Sequence, residues 1–157
     1  MSDDLATTRL STPIDLAPAR LEPKRPRVGQ ARRALQWIHL ALALVIVAGV
    51  LAQVYLIGAY IFGAGQSALD AHRSLGFSVH GLEVLLLVVA LLAWLPRTDR
   101  WLSLALAVVG TAQIALASAH RWTGGLHPLG AMVVLGLAGV LARRGLGRRG
   151  SSRQPPG

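Results

Sequence analysis

The chain has 157 residues, of which 53% are hydrophobic and 15% charged, with a net charge of +9. It contains no cysteine, which excludes disulfides, thiolate metal sites, iron–sulfur clusters and covalently attached c-type haem. In a soluble protein so basic a balance raises the question of nucleic acid, but here the placement of the charges points to membrane topology instead.

The apolar residues gather in four blocks separated by short polar segments. About 20 apolar residues at 1.5 Å rise cross a ~30 Å hydrocarbon layer, so each block can span. The expectation is an all-α fold, a four-helix antiparallel transmembrane bundle with disordered cytoplasmic tails. Arg9, Arg20, Lys24, Arg25, Arg27, Arg32 and Arg33 precede the first span, and Arg97 and Arg100 lie between the second and third. Arg143, Arg144, Arg148, Arg149 and Arg153 follow the fourth, leaving only Arg73 and Arg121 on the opposite side. The positive-inside rule then puts both termini in the cytoplasm of a multi-pass cell (inner) membrane protein. Its expected partner is the lipid bilayer rather than nucleic acid, with a homo-oligomer or a membrane complex left open.

Residues 1–30 carry Pro13, Pro18, Pro23 and Pro26 among charges and small residues, and read as a disordered tail. The first apolar run starts too late and is too long for a cleaved signal peptide, so the first span is expected to act as its own signal-anchor. The transmembrane domain is placed at 31–143, with spans at about 34–62, 73–95, 101–120 and 127–142. In the first span His39, Gln53 and Tyr60 return to within about 40° of one direction, so they share a face. Asp70, in the short loop 63–71, is a candidate cap for the second span. That span holds His72, His80 and Glu83 and stops at Trp94, Leu95 and Pro96. The turn PRTDR over 96–100 is too short to form a domain. Gln113 and His120 share a face of the third span. The fourth opens with His127 and Pro128, and its Gly130, Gly136 and Gly139 permit close helix contact. Residues 144–157 read as a second disordered tail.

An intramembrane acid is a functional-site hypothesis by default, because charge is costly in hydrocarbon. Counting depth along each span puts Gln53, His72, His80, Gln113, His120 and His127 in the outer half, Glu83 near the centre and His39 towards the cytoplasm. His72, Gly76, Val79 and Glu83 form one stripe, with His72 and Glu83 ~16 Å apart along the axis. His80 and Glu83 stand at i,i+3 and can interact.

Three readings compete for this constellation. In the first, two imidazoles from different helices ligate haem b, with glycines making room for the porphyrin. The candidate pairs are His72 with His127 or His120, and His80 with His120. In the second, Glu83, His80, Gln53 and Gln113 handle protons or a small solute. In the third, Gln53, Glu83 and Gln113 hold helices together, boundary histidines face headgroups, and His39 is a packing residue. A rim zinc site from His72, His120 and His127 is conceivable but unsupported, and His72 and His80, eight apart on the second span, lack the i,i+4 spacing of helical zinc ligands. No phosphate loop, paired carboxylates or nucleophile elbow points to an enzyme.

The stretches QVYLIGAYIFG, HRSLGF, QIALASAH and LHPLGAM resemble a family of small four-helix bacterial membrane proteins classed as a domain of unknown function. The resemblance runs from about Arg33 to Arg144 and leaves both tails outside. It implies that His72 and His127 are the histidines that matter, with Gln53 and Gln113 as recurring polar positions, and it implies no activity. His39, His80 and Glu83 fall outside those motifs. The expected role is therefore a b-type haem or redox-linked bundle with ligands among His72, His127, His120 and His80. The alternative is a non-catalytic membrane subunit or small transporter built round Glu83, as a neutral acid facing Gln53 or Gln113.

Overall fold

A computed structural model describes residues 27–119 and 121–151. The helices are α1 (Arg27–Ile61), α2 (Gln66–Leu92), α3 (Arg97–Ala117), the single turn α4 (Arg121–Gly124) and α5 (Leu126–Ser151). The four long ones are each apolar and long enough to cross a membrane. The chain is a multi-pass membrane protein built as an all-α, four-helix bundle. α1 packs on α2 and α5, and α3 packs on the same two, so the helices form a ring whose diagonal partners make no close backbone contact among the described residues.

One spacing rule places the inward seams. His39, Ala43, Ile46, Val50 and Gln53 alternate steps of four and three along α1. His72, Gly76, Val79, Glu83, Leu86 and Ala90 do the same on α2, and Asp99, Ser103, Leu106, Gly110 and Gln113 on α3. That alternation keeps one narrow face towards the neighbours, as in a left-handed bundle. The middle of the seams is aliphatic: Ile46, Leu86, Leu106 and Leu141 are fully buried. Outward residues such as Leu51, Leu85, Val108 and Val133 are exposed and apolar, a surface suited to lipid.

The polar groups concentrate at the two ends of the seams. His39, Asp99 and Ser103 lie at the end that carries the described chain ends. Gln53, His72, Gln113 and His127 lie at the far end.

Several boundaries differ from expectation. α2 begins at Gln66, not 73, because α1 closes in two residues. Ala64 N–H reaches Ala59 O at 2.9 Å across Gly63, whose φ of 94° favours glycine. Asp70 is thus inside the helix and does not cap it; it stands 3.6 Å from Arg73, both well exposed, in a pairing worth little. At the other end of α2, Trp94 adopts the same left-handed position with φ 48°. The turn is held from outside, since Arg32 donates to Ala93 O at 3.0 Å and to Trp94 O at 2.9 Å. α5 continues to Ser151, so Arg144 and Arg148 belong to a helix rather than to a tail that starts at 144. Of the glycines expected to bring α5 close, only Gly130 does so; nothing lies within 4 Å of a side chain built at Gly136 or Gly139. Residues 1–26 and 152–157, the bulk of both expected tails, lie outside the described residues, as does His120.

Candidate functional site

At the far end the two hairpins repeat one device. Gln53 on α1 and His72 on α2 form the first. With its oxygen accepting from Gly76 N–H at 2.9 Å, the Gln53 amide donates to the His72 carbonyl at 3.1 Å. Its orientation is assigned from these bonds. His72 Nδ1 lies 3.1 Å from the Gln53 carbonyl and 2.8 Å from its amide nitrogen, so it is engaged in either tautomer. In the second hairpin, Gln113 on α3 donates to the His127 carbonyl at 2.7 Å, and His127 Nδ1 meets the Gln113 carbonyl at 3.2 Å. Each histidine is therefore engaged through Nδ1 by a neighbouring helix, His72 by α1 and His127 by α3. Among the described residues neither Nε2 has a hydrogen-bond partner.

Glycine makes the brackets fit. A Cβ on Gly76 would stand 2.9 Å from the Gln53 amide oxygen, and one on Gly130 would overlap Gln113 Oε1. Gln113 Oε1 is buried and has no hydrogen-bond partner among the described residues. The glycines thus seat polar side chains, which differs from the expectation that they clear space for a ring system.

Across the ring diagonal, His72 and His127 face each other with ring centroids 6.2 Å apart and planes at 75°. Both line a cavity of about 430 Å³ whose walls are otherwise largely aliphatic, including Val50, Ile57, Ile114 and Met132. That volume falls within the roughly 300–1,000 Å³ of ordinary small-molecule and cofactor sites.

The floor of the same cavity holds His80 and Glu83. His80 Nδ1 is 3.2 Å from Glu83 Oε2, and Glu83 is 2% exposed. The carboxylate packs against Gly110 of α3, where a Cβ would overlap Oε2. This corrects the expected partners of Glu83. The acid is held by His80 one turn back, while Gln53 and the Gln113 Nε2 bond at the rim. His80 meets Glu83 through Nδ1 and keeps Nε2 for any ligand.

The opposite end contains a group that sequence reasoning missed. Asp99 is fully buried in the first turn of α3 and pairs with Arg144, at 2.5 Å, and with Arg148 of α5. An acid there is favoured by the helix dipole, and two guanidiniums compensate its burial. Ser103 donates to Asp99 O at 2.8 Å, so His39 Nε2, 3.2 Å away, donates to the hydroxyl. His39 Nδ1 then remains a buried acceptor without a partner among the described residues. His39 is a packing residue of this lock. A signal was present: Arg144 and Arg148 stand at i,i+4, at the level of Asp99 in an antiparallel bundle.

Among the described residues no three metal-ligating side chains converge, so a zinc site has no support there. Tyr60, expected on the inward face of α1, is 38% exposed. Residues 53–119 match a family of unknown function (DUF6220). The matched segment covers Gln53, His72, His80, Glu83 and Gln113 and stops short of His127, a narrower span than 33–144. No curated protein and no solved structure matches the chain.

Proposed function

We propose that the far-end cavity binds one haem b between His72 and His127 and that the bundle is a one-electron carrier in a membrane. The observation that carries this reading is the separation of the two rings. A first-row metal sits about 2.0–2.1 Å from an imidazole nitrogen that is itself roughly 1.1 Å from its ring centre, so two axial imidazoles have centroids about 6.3 Å apart. The 6.2 Å between the His72 and His127 ring centroids is of that size.

The environment supports the same reading. Nδ1 of each ring is engaged by the facing glutamine, which leaves Nε2 as the nitrogen that would ligate, the usual outer-shell arrangement for a metal-binding histidine. The ligands come from diagonal helices, α2 and α5, across an apolar cavity of cofactor size. Bound there, haem would supply reversible one-electron transfer. His120 and His80 are the other candidate ligands named from the sequence; the partnership of His72 with His127 needs no contribution from them.

With both termini in the cytoplasm, as the distribution of basic residues favours, the cavity opens at the outer side of the cell membrane. A one-electron carrier also requires a donor and an acceptor, so this reading includes a redox partner in or at the membrane. The test is purification of the full chain in mild detergent from haem-replete cells, followed by absorption spectroscopy. A Soret band with sharp α and β bands on reduction is expected. A colourless protein that takes up no added haemin overturns the proposal.

A further inference from the structure

The end of the bundle that carries the described chain ends is strongly basic, and the Asp99 lock accounts for only part of that charge. Asp99 is the one carboxylate there among the described residues; it is turned inward, fully buried, and taken by Arg144 and Arg148. Arg97 and Arg100, which stand on either side of it in the chain, have no carboxylate partner among the described residues. Arg97 is exposed. Arg100 is half-buried, and its Nε is buried without a hydrogen-bond acceptor among the described residues. A buried guanidinium nitrogen without an acceptor is costly, so this position calls for an anion that the described residues do not supply.

The face on which these arginines stand says what kind of anion. Arg97, Trp101, Leu104 and Val108 follow one another at steps of four, three and four, so they share one side of α3, and all four are exposed. Arg97 lies one turn, ~6 Å, nearer the membrane surface than Trp101. Trp94, 73% exposed, stands in the turn between α2 and α3, which Arg32 holds through Ala93 O and Trp94 O. From the end inwards, the face therefore runs from guanidinium to indole to aliphatic side chain. A phospholipid runs in the same order, from phosphate to ester to acyl chain, and indoles favour the level between headgroup and hydrocarbon. Exposed residues of α1 repeat the order in Arg33, Trp37, Leu44 and Leu51, although no second arginine adjoins that tryptophan.

We infer that Arg97 and Arg100 hold the phosphate of an anionic phospholipid above Trp101, which makes this side of α3 a lipid-docking surface in the leaflet at that end. A zwitterionic headgroup carries its own ammonium to neutralise its phosphate, whereas the two arginines offer surplus positive charge and select a headgroup of net negative charge. An acidic protein could meet the arginines but not the apolar face below them, which lies in the hydrocarbon. Each arginine near a membrane surface contributes about fivefold in affinity, and the pair roughly thirtyfold. The surface lies at the opposite end of the bundle from the cavity, so the inference does not depend on the haem reading.

The experiment uses the full chain with Trp37→Phe, Trp94→Phe and Trp122→Phe, so that Trp101 alone fluoresces, reconstituted into phosphatidylcholine vesicles. Phosphatidylglycerol or phosphatidylcholine with brominated acyl chains is then added as a minor component, and quenching of Trp101 gives their relative affinities. Phosphatidylglycerol is expected to be preferred, by up to roughly thirtyfold, with the preference shrinking as salt rises. Arg97→Gln or Arg100→Gln should each reduce it about fivefold, and the double variant should abolish it. Arg73→Gln, the same charge change at the opposite end, should leave it intact. Circular dichroism checks that each variant keeps its helices. Equal quenching by the two lipids in the parent chain, the outcome if a carboxylate of another protein covers the arginines, overturns the inference without any charge variant. A preference that survives in the double variant, or that Arg73→Gln reduces as much as Arg100→Gln does, overturns it as well.

Discussion

Gln113 and His127 grip each other twice: the Gln113 side chain donates to the His127 carbonyl at 2.7 Å, and His127 Nδ1 meets the Gln113 carbonyl at 3.2 Å. The same exchange joins Gln53 to His72 in the other hairpin. Two glutamines, on α1 and α3, thereby orient two histidines, on α2 and α5. This division of labour makes the amides separable from the ligands by mutation.

Gln113→Leu keeps the volume of the side chain and removes the bond that fixes His127. Loss of an outer-shell partner lowers metal affinity about 10–100-fold. Haemin titration should show that drop for Gln113→Leu and for Gln53→Leu, with helicity by circular dichroism unchanged. Wild-type affinity in both variants would show that the brackets serve packing alone.

Gly110→Ala forces a methyl group onto Glu83 Oε2 and to within 3.0 Å of His80 Nδ1. Overpacking at such a site costs about 1–3 kcal/mol. Gly136→Ala meets nothing within 4 Å and gains roughly 0.5–1 kcal/mol from helix propensity. Unfolding in detergent should therefore separate two chemically identical substitutions in opposite directions.

At the other end, Asp99→Ala strands two guanidiniums. Breaking a fully buried pair costs roughly 3–5 kcal/mol, but Arg144 is 39% and Arg148 29% exposed. A loss of about 2–3 kcal/mol is expected. A double-mutant cycle with Arg144→Met and Arg148→Met should give coupling energies that account for most of it. The same variant should leave haem binding untouched, because the lock and the cavity sit at opposite ends of the seams.

The four spans were legible because hydropathy blocks of membrane length have few other interpretations. The rim site was legible in part. His39 and Gln53 share a helical face by arithmetic, and so do His72 and Glu83, while HRSLGF and LHPLGAM drew attention to His72 and His127. What helical arithmetic on single spans does not supply is the pairing between spans. Gln53 with His72 and Gln113 with His127 depend on where each hairpin turns, and α2 starts seven residues earlier than the hydropathy suggested. The reach of His80 to Glu83 at i,i+3 was legible within one span; the amides expected to face Glu83 bond nearer the rim instead. Asp99 escaped notice because its partners were counted as tail. Arginines that close a helix end look, in a sequence, like any basic flank.

The central claim is tested most directly by the reduced-minus-oxidised spectrum of haem-loaded His72→Ala and His127→Ala, with His39→Ala as the control. Each rim substitution should abolish the six-coordinate, low-spin spectrum, leaving weakly bound or five-coordinate haem, while His39→Ala retains it. A low-spin spectrum that survives both His72→Ala and His127→Ala would contradict the account.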